Sequence, residues 1–483
     1  MIFLLTIQSA FSSVQSTGEI RTTYDYLPSF QLDEIGNQTS AKQMFRSRFR
    51  TGIHYEINPA WHLKAGIEVL NGQYAGTYSD VGLLVDDIPF RPLRSDNSEL
   101  SLIWPTELYI QKKGEKIGYT FGVQSFQWGL GILSNDGYQQ SIWGDAERGN
   151  QYLRTSVDVA TGNFGRLFIA ADSIVRDDNV SIYSENSAQQ VIVGFMGGTK
   201  EGQYGVLVGH RWQQDRPDIN HPESPTSVKA IPIDFYGTTQ FSDSIVGEVE
   251  LTHIRGTTNR IYSEQTRGNL TKIRSFGGLL RFKVATTDNL LHPSTALWEL
   301  GFATGDANPT DDVSTTFYMH SNYNPGLILF EQVLPMLSAN SLERLTEPEL
   351  IGKPAPGLRY GINQGNVSNA WFVHFQDDFQ FTPSLNIRSG YLFVRSLTPI
   401  TDPFLSAMNG GYSVGYGNDQ RASNNIGSEL LFGLDYKLTG KNVEPMVRID
   451  ASWLNAHSEF TNLELDDLWT IHSKIQLRWG GAK

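Results

Sequence analysis

The sequence predicts an all-β fold, a single antiparallel transmembrane β-barrel of about 18 strands with short periplasmic turns and long extracellular loops. Three observations predict it. Apolar and polar residues alternate with a period of two from Gly18 to Trp479. Links between the alternating segments are short and long by turns. The chain is rich in aromatics (Phe 26, Tyr 20, Trp 10) yet only 39% hydrophobic, with a mean hydropathy of -0.30, as expected when oily residues occupy one face of every strand.

The totals exclude other classes. With 483 residues the chain could make two or three soluble domains, but no linker, low-complexity tract or short repeat divides it. No stretch approaches the roughly 18 consecutive apolar residues of a membrane helix. Cysteine is absent, which removes disulfide scaffolds and Cys-based zinc sites. The net charge of -13 sets the overall field against nucleic acid. Residues 1–16, MIFLLTIQSAFSSVQS, read as part of a signal peptide or as an apolar N-terminal segment, and residues 17–483 as the barrel.

In chain order, Gln43 to Ile57 sets Phe45, Phe49, Ile53, Tyr55 and Ile57 on one face against Arg46, Arg48, Arg50, His54 and Glu56 on the other. The turn Asn58-Pro59 follows, then a strand whose Trp61, Leu63, Ala65, Ile67 and Val69 oppose His62, Lys64 and Glu68. Near the C-terminus Leu430, Phe432, Leu434 and Tyr436 oppose Glu429, Asp435 and Lys437; Val447, Ile449 and Trp453 oppose Glu444, Arg448 and Asp450. The last strand sets Trp469, Ile471, Ile475, Leu477 and Trp479 against His472, Lys474, Gln476 and Arg478. Short links such as Lys113-Gly114-Glu115, Thr161-Gly162-Asn163, Ser242-Asp243 and Thr382-Pro383 alternate with long ones, Gln73 to Ser98, Gln127 to Gly149, Gly305 to Gly365 and Leu397 to Asn425.

This pattern fixes where Arg46, Arg48 and Arg50 point. An arginine facing lipid at mid-depth costs about 2–4 kcal/mol, so three would cost as much as a whole domain's stability. They face the lumen, which is polar. Two readings follow: an electropositive ladder attracting carboxylates or phosphates, or a reinforced wall in which Glu19, Asp25 and Glu68 on flanking strands neutralise the arginines. The wider path comprises Lys64, Arg154, Arg281, Lys283, Arg388, Arg448 and Glu299.

Two stretches resemble known proteins. GVQSFQWGLGILSNDG (Gly122 to Gly137) with WGDAERG (Trp143 to Gly149), and ELGFATGDANPTDDVSTTF (Glu299 to Phe317), resemble the alginate-export-type outer-membrane barrels. The resemblance implies an eighteen-stranded monomer that passes an anionic polysaccharide or a related solute through an arginine-lined pore. Two features differ: no long periplasmic loop is present to plug the pore from below, and the lumenal charges are mixed in sign.

Other constellations have bland and functional readings. Asn322 to Leu337, NYNPGLILFEQVLPML, is too apolar to lie exposed and must bury against the mouth, the lumen or a partner, with a helical turn broken at Pro335. Asp306, Asn308, Asp311 and Asp312 offer hard oxygen ligands that suit calcium, though a solvated turn is the commoner use of such residues. Trp61, Trp453, Trp469 and Trp479 read as interfacial girdles. No catalytic motif is present: Gly411 to Gly415 spells a nucleophile elbow in a context that cannot build one.

The expectation is a non-enzymatic channel without cofactor in a bacterial outer membrane. Anionic solutes would cross it by diffusion, with the loops after Gln127 and Gly305 as its constriction. Its partners would be membrane lipids, lipopolysaccharide and a small anionic solute or polysaccharide, with no nucleic acid and no second subunit. The alternative is an occluded structural or surface-binding barrel whose loops engage a partner.

Overall fold

The computed structural model describes residues 14–77, 101–138, 142–146, 149–178, 187–215, 226–261, 270–286, 293–346, 357–358, 365–417, 423–438, 440, 443–456, 458–465 and 467–480. The signal-like reading of residues 1–16 lies almost wholly outside them; the first strand starts at Val14.

Eighteen strands form the wall. The first six are β1 Val14–Leu27, β2 Lys42–Asn58, β3 Trp61–Gly76, β4 Ser101–Lys112, β5 Ile117–Ser125 and β6 Gln151–Ala160. Next come β7 Gly165–Arg176, β8 Ser187–Gly198, β9 Gly202–Gln214, β10 Ser227–Ser242, β11 Ile245–Thr258 and β12 Thr271–Thr286. The last are β13 Ser294–Ala303, β14 Ala370–Gln380, β15 Leu385–Arg395, β16 Asn425–Lys437, β17 Val443–Ala456 and β18 Trp469–Trp479. Each pairs antiparallel with its sequence neighbours, and β1 closes the ring by pairing with both β2 and β18. Closure satisfies every ladder without an open edge, the condition for crossing hydrocarbon with strands. A two-residue segment, Val313–Ser314, pairs parallel with the outer end of β12.

The alternation seen in the sequence is the alternation of the wall. Ile475, Phe432 and Ile103 stand out from it, 61%, 59% and 66% exposed, while Glu68, Asp234 and Glu429 point inward at 0%. A register slip of one residue would exchange these sets, so the outward apolar face fixes the pairing. Trp453 and Trp469 sit opposite each other at the long-loop end, and Trp61 and Trp479 lie at the short-turn end, Trp479 stacked on Phe49. These are the two girdles of a membrane barrel.

The bore is not hollow. Described parts of the β5–β6 loop (126–138 and 142–146) and of the β13–β14 loop (304–346 and 365–369) fold inward and bury an apolar cluster inside the cylinder: Ile328, Leu329, Phe330, Val333 and Leu337 pack with Trp143, Phe372, Leu431 and Leu454. Burying one such side chain contributes about 1.5–3 kcal/mol. The apolar stretch Asn322 to Leu337 therefore turns into the barrel. Pro335 does not break its helix. A π-helical turn, Leu329–Val333, runs directly into α1, Leu334–Thr346, so the helix continues through Pro335. A second helix, α2 Pro403–Met408, is capped by Asp402, whose side chain accepts from Leu405 N. It packs beside α1.

Candidate functional site: the filled bore

Period-two geometry aims the arginines of β2 inward, and diagonal neighbours (for Arg46 and Arg48) or the directly opposite residue (for Arg50) supply their partners. Arg46 meets Asp25 at 2.8 Å, Arg48 meets Glu19 at 2.6 Å and Arg50 meets Glu68 at 2.5 Å. The other candidates are also paired: Lys64 with Glu107 at 2.9 Å, Arg154 with Asp172 at 2.7 Å, Arg281 with Glu299 at 2.7 Å and Lys283 with Glu248 at 2.8 Å. Arg388 contacts Asp450 at 2.5 Å, and Arg448 contacts Asp435 at 2.8 Å. The three arginines thus form a neutralised wall rather than a bare ladder. The reason is energetic: a charge held this far from water needs an opposite charge beside it.

Each inward loop is held by the wall through buried polar contacts. The β5–β6 loop spans the bore. On one side Trp128 Nε1 donates to Asp234 Oδ1 at 2.7 Å, and Leu130 N donates to Glu250. On the far side Trp143 Nε1 donates to His374 Nε2 at 3.1 Å, Gly144 N to Asp450 Oδ2 at 3.2 Å, and Arg388 to the Ile142 carbonyl at 2.7 Å. Arg21 and Arg48 both donate to the Ala146 carbonyl, at 3.1 and 3.2 Å. Asp145 Oδ1 lies 2.7 Å from Lys474 and 3.3 Å from Arg21. Burial opposes ionisation of Asp145, but Arg21, Lys474 and His472 outweigh it and hold the carboxyl well below the usual range.

The β13–β14 loop hangs on Glu429 of β16. Its carboxylate accepts from Leu327 N at 2.9 Å, Ile328 N at 3.2 Å and Leu329 N at 2.7 Å, and from Ser452 Oγ at 2.8 Å. The two loops also meet, His320 N donating to the Ile132 carbonyl at 2.8 Å.

Among the described residues a cavity of about 250 Å³ lies between the loops and the β6–β12 wall. One side is apolar: Ile192, Leu207, Ala230, Pro232, Ile254 and Ile273. The other is polar, with Arg211 paired to Asp177, Arg260 3.0 Å from Asp215, and Asp178 accepting from Ser321 N at 2.9 Å. Of the path residues named from sequence, none lines it. The missed apolar lining residues lie where both strand faces are apolar, as in Gly205 to Gly209 of β9, so alternation carries no sign of which face is inside.

The acidic cluster is turn structure. Asp306 accepts from Asn308 N at 3.0 Å and Thr315 N at 3.3 Å, Asp311 from Val313 N at 2.8 Å, and Asp312 pairs with Lys272 at 2.8 Å. Burial pushes the Asp306 carboxyl up, which weakens it further as a calcium ligand. Among the described residues no group of three or more candidate ligands surrounds a common point.

No family model matches the chain, and no curated protein matches it. Solved structures do resemble it. OccAB1 of Acinetobacter baumannii has a TM-score of 0.49 at 8% identity, covering 98% of this chain and 98% of its own. The outer membrane protein opdK of Pseudomonas aeruginosa has a TM-score of 0.49 at 10% identity, covering 97% and 99%. A BenF-like porin of Pseudomonas fluorescens Pf-5 has 0.48 at 9%, covering 97% and 99%. These are Occ/OprD-type porins, not alginate exporters, and they correct the alginate-export resemblance. The motifs behind it are spelled by loop geometry: Gly129, Gly131, Gly137 and Gly144 all have positive φ, so recurrent Gly with Asn and Asp marks tight turns more than ancestry.

Proposed function

We propose that the chain is a passive outer-membrane channel for small solutes, favouring anions, with the two inward loops as its constriction. The observation that carries this reading is the bore itself: a charged inner wall, met by loops from the long-loop end that hold to it through buried polar contacts as well as an apolar cluster and leave a cavity of about 250 Å³ beside them. The polar contacts can be exchanged for water or solute one at a time. The space suits a small molecule better than a polysaccharide chain. Lipid and lipopolysaccharide would meet the outward face, a monomer suffices, and the path requires no catalytic group or cofactor. Arg46, Arg48 and Arg50 act within it as a paired wall, with Lys64, Arg154, Arg281, Lys283, Arg388, Arg448 and Glu299 continuing the charged lining.

Single-channel recording in planar bilayers tests it. Stepwise conductance with a reversal potential on the anion side is expected in asymmetric salt. A silent bilayer, or cation preference, removes the proposal. The depth of loop packing favours a second reading, a closed barrel serving as a structural or binding element. That reading predicts no current even after the 304–369 loop is deleted.

A further inference from the structure

On the wall formed by β18, β1 and β2, acids are shared. Glu19 serves both Arg48, at 2.6 Å, and Arg478, at 3.1 Å, and Asp25 serves Arg46 and His472, at 2.8 and 2.5 Å. Further negative charge reaches this wall from the β5–β6 loop. Asp145, 2% exposed at its side chain, lies 2.7 Å from Lys474, 3.3 Å from Arg21 and 3.4 Å from His472. Around it the loop presents more oxygen: the Ala146 carbonyl to Arg21 and Arg48, and the Gly144 carbonyl to Lys474 at 3.4 Å. A carboxylate flanked by carbonyls, on cations from three adjacent strands, is what a bound oxyanion would look like.

We propose that Arg21, Lys474 and His472 form an oxyanion-binding site in the bore, occupied in this state by Asp145 as a tethered ligand, and that a solute carboxylate or phosphate opens the path by displacing it. The inference rests on the channel reading above and names its gate. The tether explains how a filled bore can also be selective. Only a solute able to satisfy the same cations can replace Asp145 without leaving them buried and uncompensated. A neutral solute offers no such exchange. The loop stays displaced while the anion is bound, so the site selects and opens in one event.

Two measurements on the full-length chain test it, each with heat-modifiable gel migration to verify the barrel. In planar bilayers, Asp145→Asn adds one unit of positive charge to the bore and is expected to raise the anion-over-cation permeability ratio by about threefold. In the naturally cysteine-free chain, Ala146→Cys reports loop displacement: its labelling by a small thiol reagent should accelerate in acetate or inorganic phosphate, but not in chloride at matched ionic strength. Acceleration by one oxyanion alone identifies which class the site takes. Adding Lys474→Gln should abolish the response. Unchanged selectivity in Asp145→Asn together with oxyanion-insensitive labelling overturns the inference while leaving a conducting channel intact. Oxyanion-dependent labelling without current in any variant retains the site and discards the channel. Silence in both overturns both.

Discussion

Replacing Glu429 by leucine should unseat the 304–369 loop while sparing the barrel. Three consecutive backbone N–H groups, from Leu327, Ile328 and Leu329, end on this one carboxylate, which is 0% exposed. Each buried donor left without an acceptor costs about 1–3 kcal/mol, so the seated state loses roughly 3–9 kcal/mol if nothing relaxes. Water entering beside the loop would recover part of that, leaving about 3–4 kcal/mol, a shift of some two orders of magnitude or more toward the open arrangement. Glu429→Gln keeps one acceptor oxygen and should fall between. Two assays read it: open probability in planar bilayers, and trypsin cleavage after Arg344, which in the seated loop is clamped by Glu34 at 2.7 Å. If Glu429→Leu gates and resists trypsin as the parent does, the carboxylate is not what seats the loop and the reasoning fails.

Three other perturbations follow from the same geometry. Val193→Arg, on the outward face at the middle of β8 and opposite Val208, should cost about 2–4 kcal/mol in urea unfolding from lipid vesicles; inward Gln190→Arg, beside Asp172, should cost under about 1 kcal/mol. Arg48→Ala leaves Glu19 to Arg478 and Gln476, so unfolding stability should fall by about 2 kcal/mol, below the usual 3–5, and reversal potentials should move toward cations. Burial raises the Asp402 carboxyl from 3.8 to about 6, against hydrogen bonds from Ser341 and Leu405 N. Because the raised folded pKa favours the neutral acid, the α2 cap should be firmest below about pH 4 and lose on the order of 2–3 kcal/mol as pH rises through 6. Hydrogen exchange of the Leu405 amide should follow that window, and Asp402→Asn should flatten it.

The wall was legible in the sequence because membrane barrels constrain it twice, once by lipid outside and once by charge inside. Arg48 and its neighbours announced their direction through the cost of the alternative, and the partners Glu19, Asp25 and Glu68 lay on adjacent strands within reach of that logic. The contents of the bore were less legible. Lys474 and Asp145 are 329 residues apart, and Gly144 and Asp450 are 306 apart; no local pattern announces such meetings. The apolar inner wall around Ala170, Ile192 and Leu207, covered by Trp128, defeats alternation because its outward neighbours are apolar too. Pro335 misled for a narrower reason: proline usually breaks a helix, but here it follows directly on a π-helical turn, a local change of hydrogen-bond pattern that no sequence spacing announces.

Because Asp450 and Lys474 stand on β17 and β18, the last strands to emerge, the β5–β6 segment has no complete seat until nearly the whole polypeptide is in place. Assembly is thereby ordered in time: the cylinder must close before its contents can settle. A newly inserted molecule passes through an unobstructed stage, and a cell making many of them would leak in proportion to how slowly that final settling occurs.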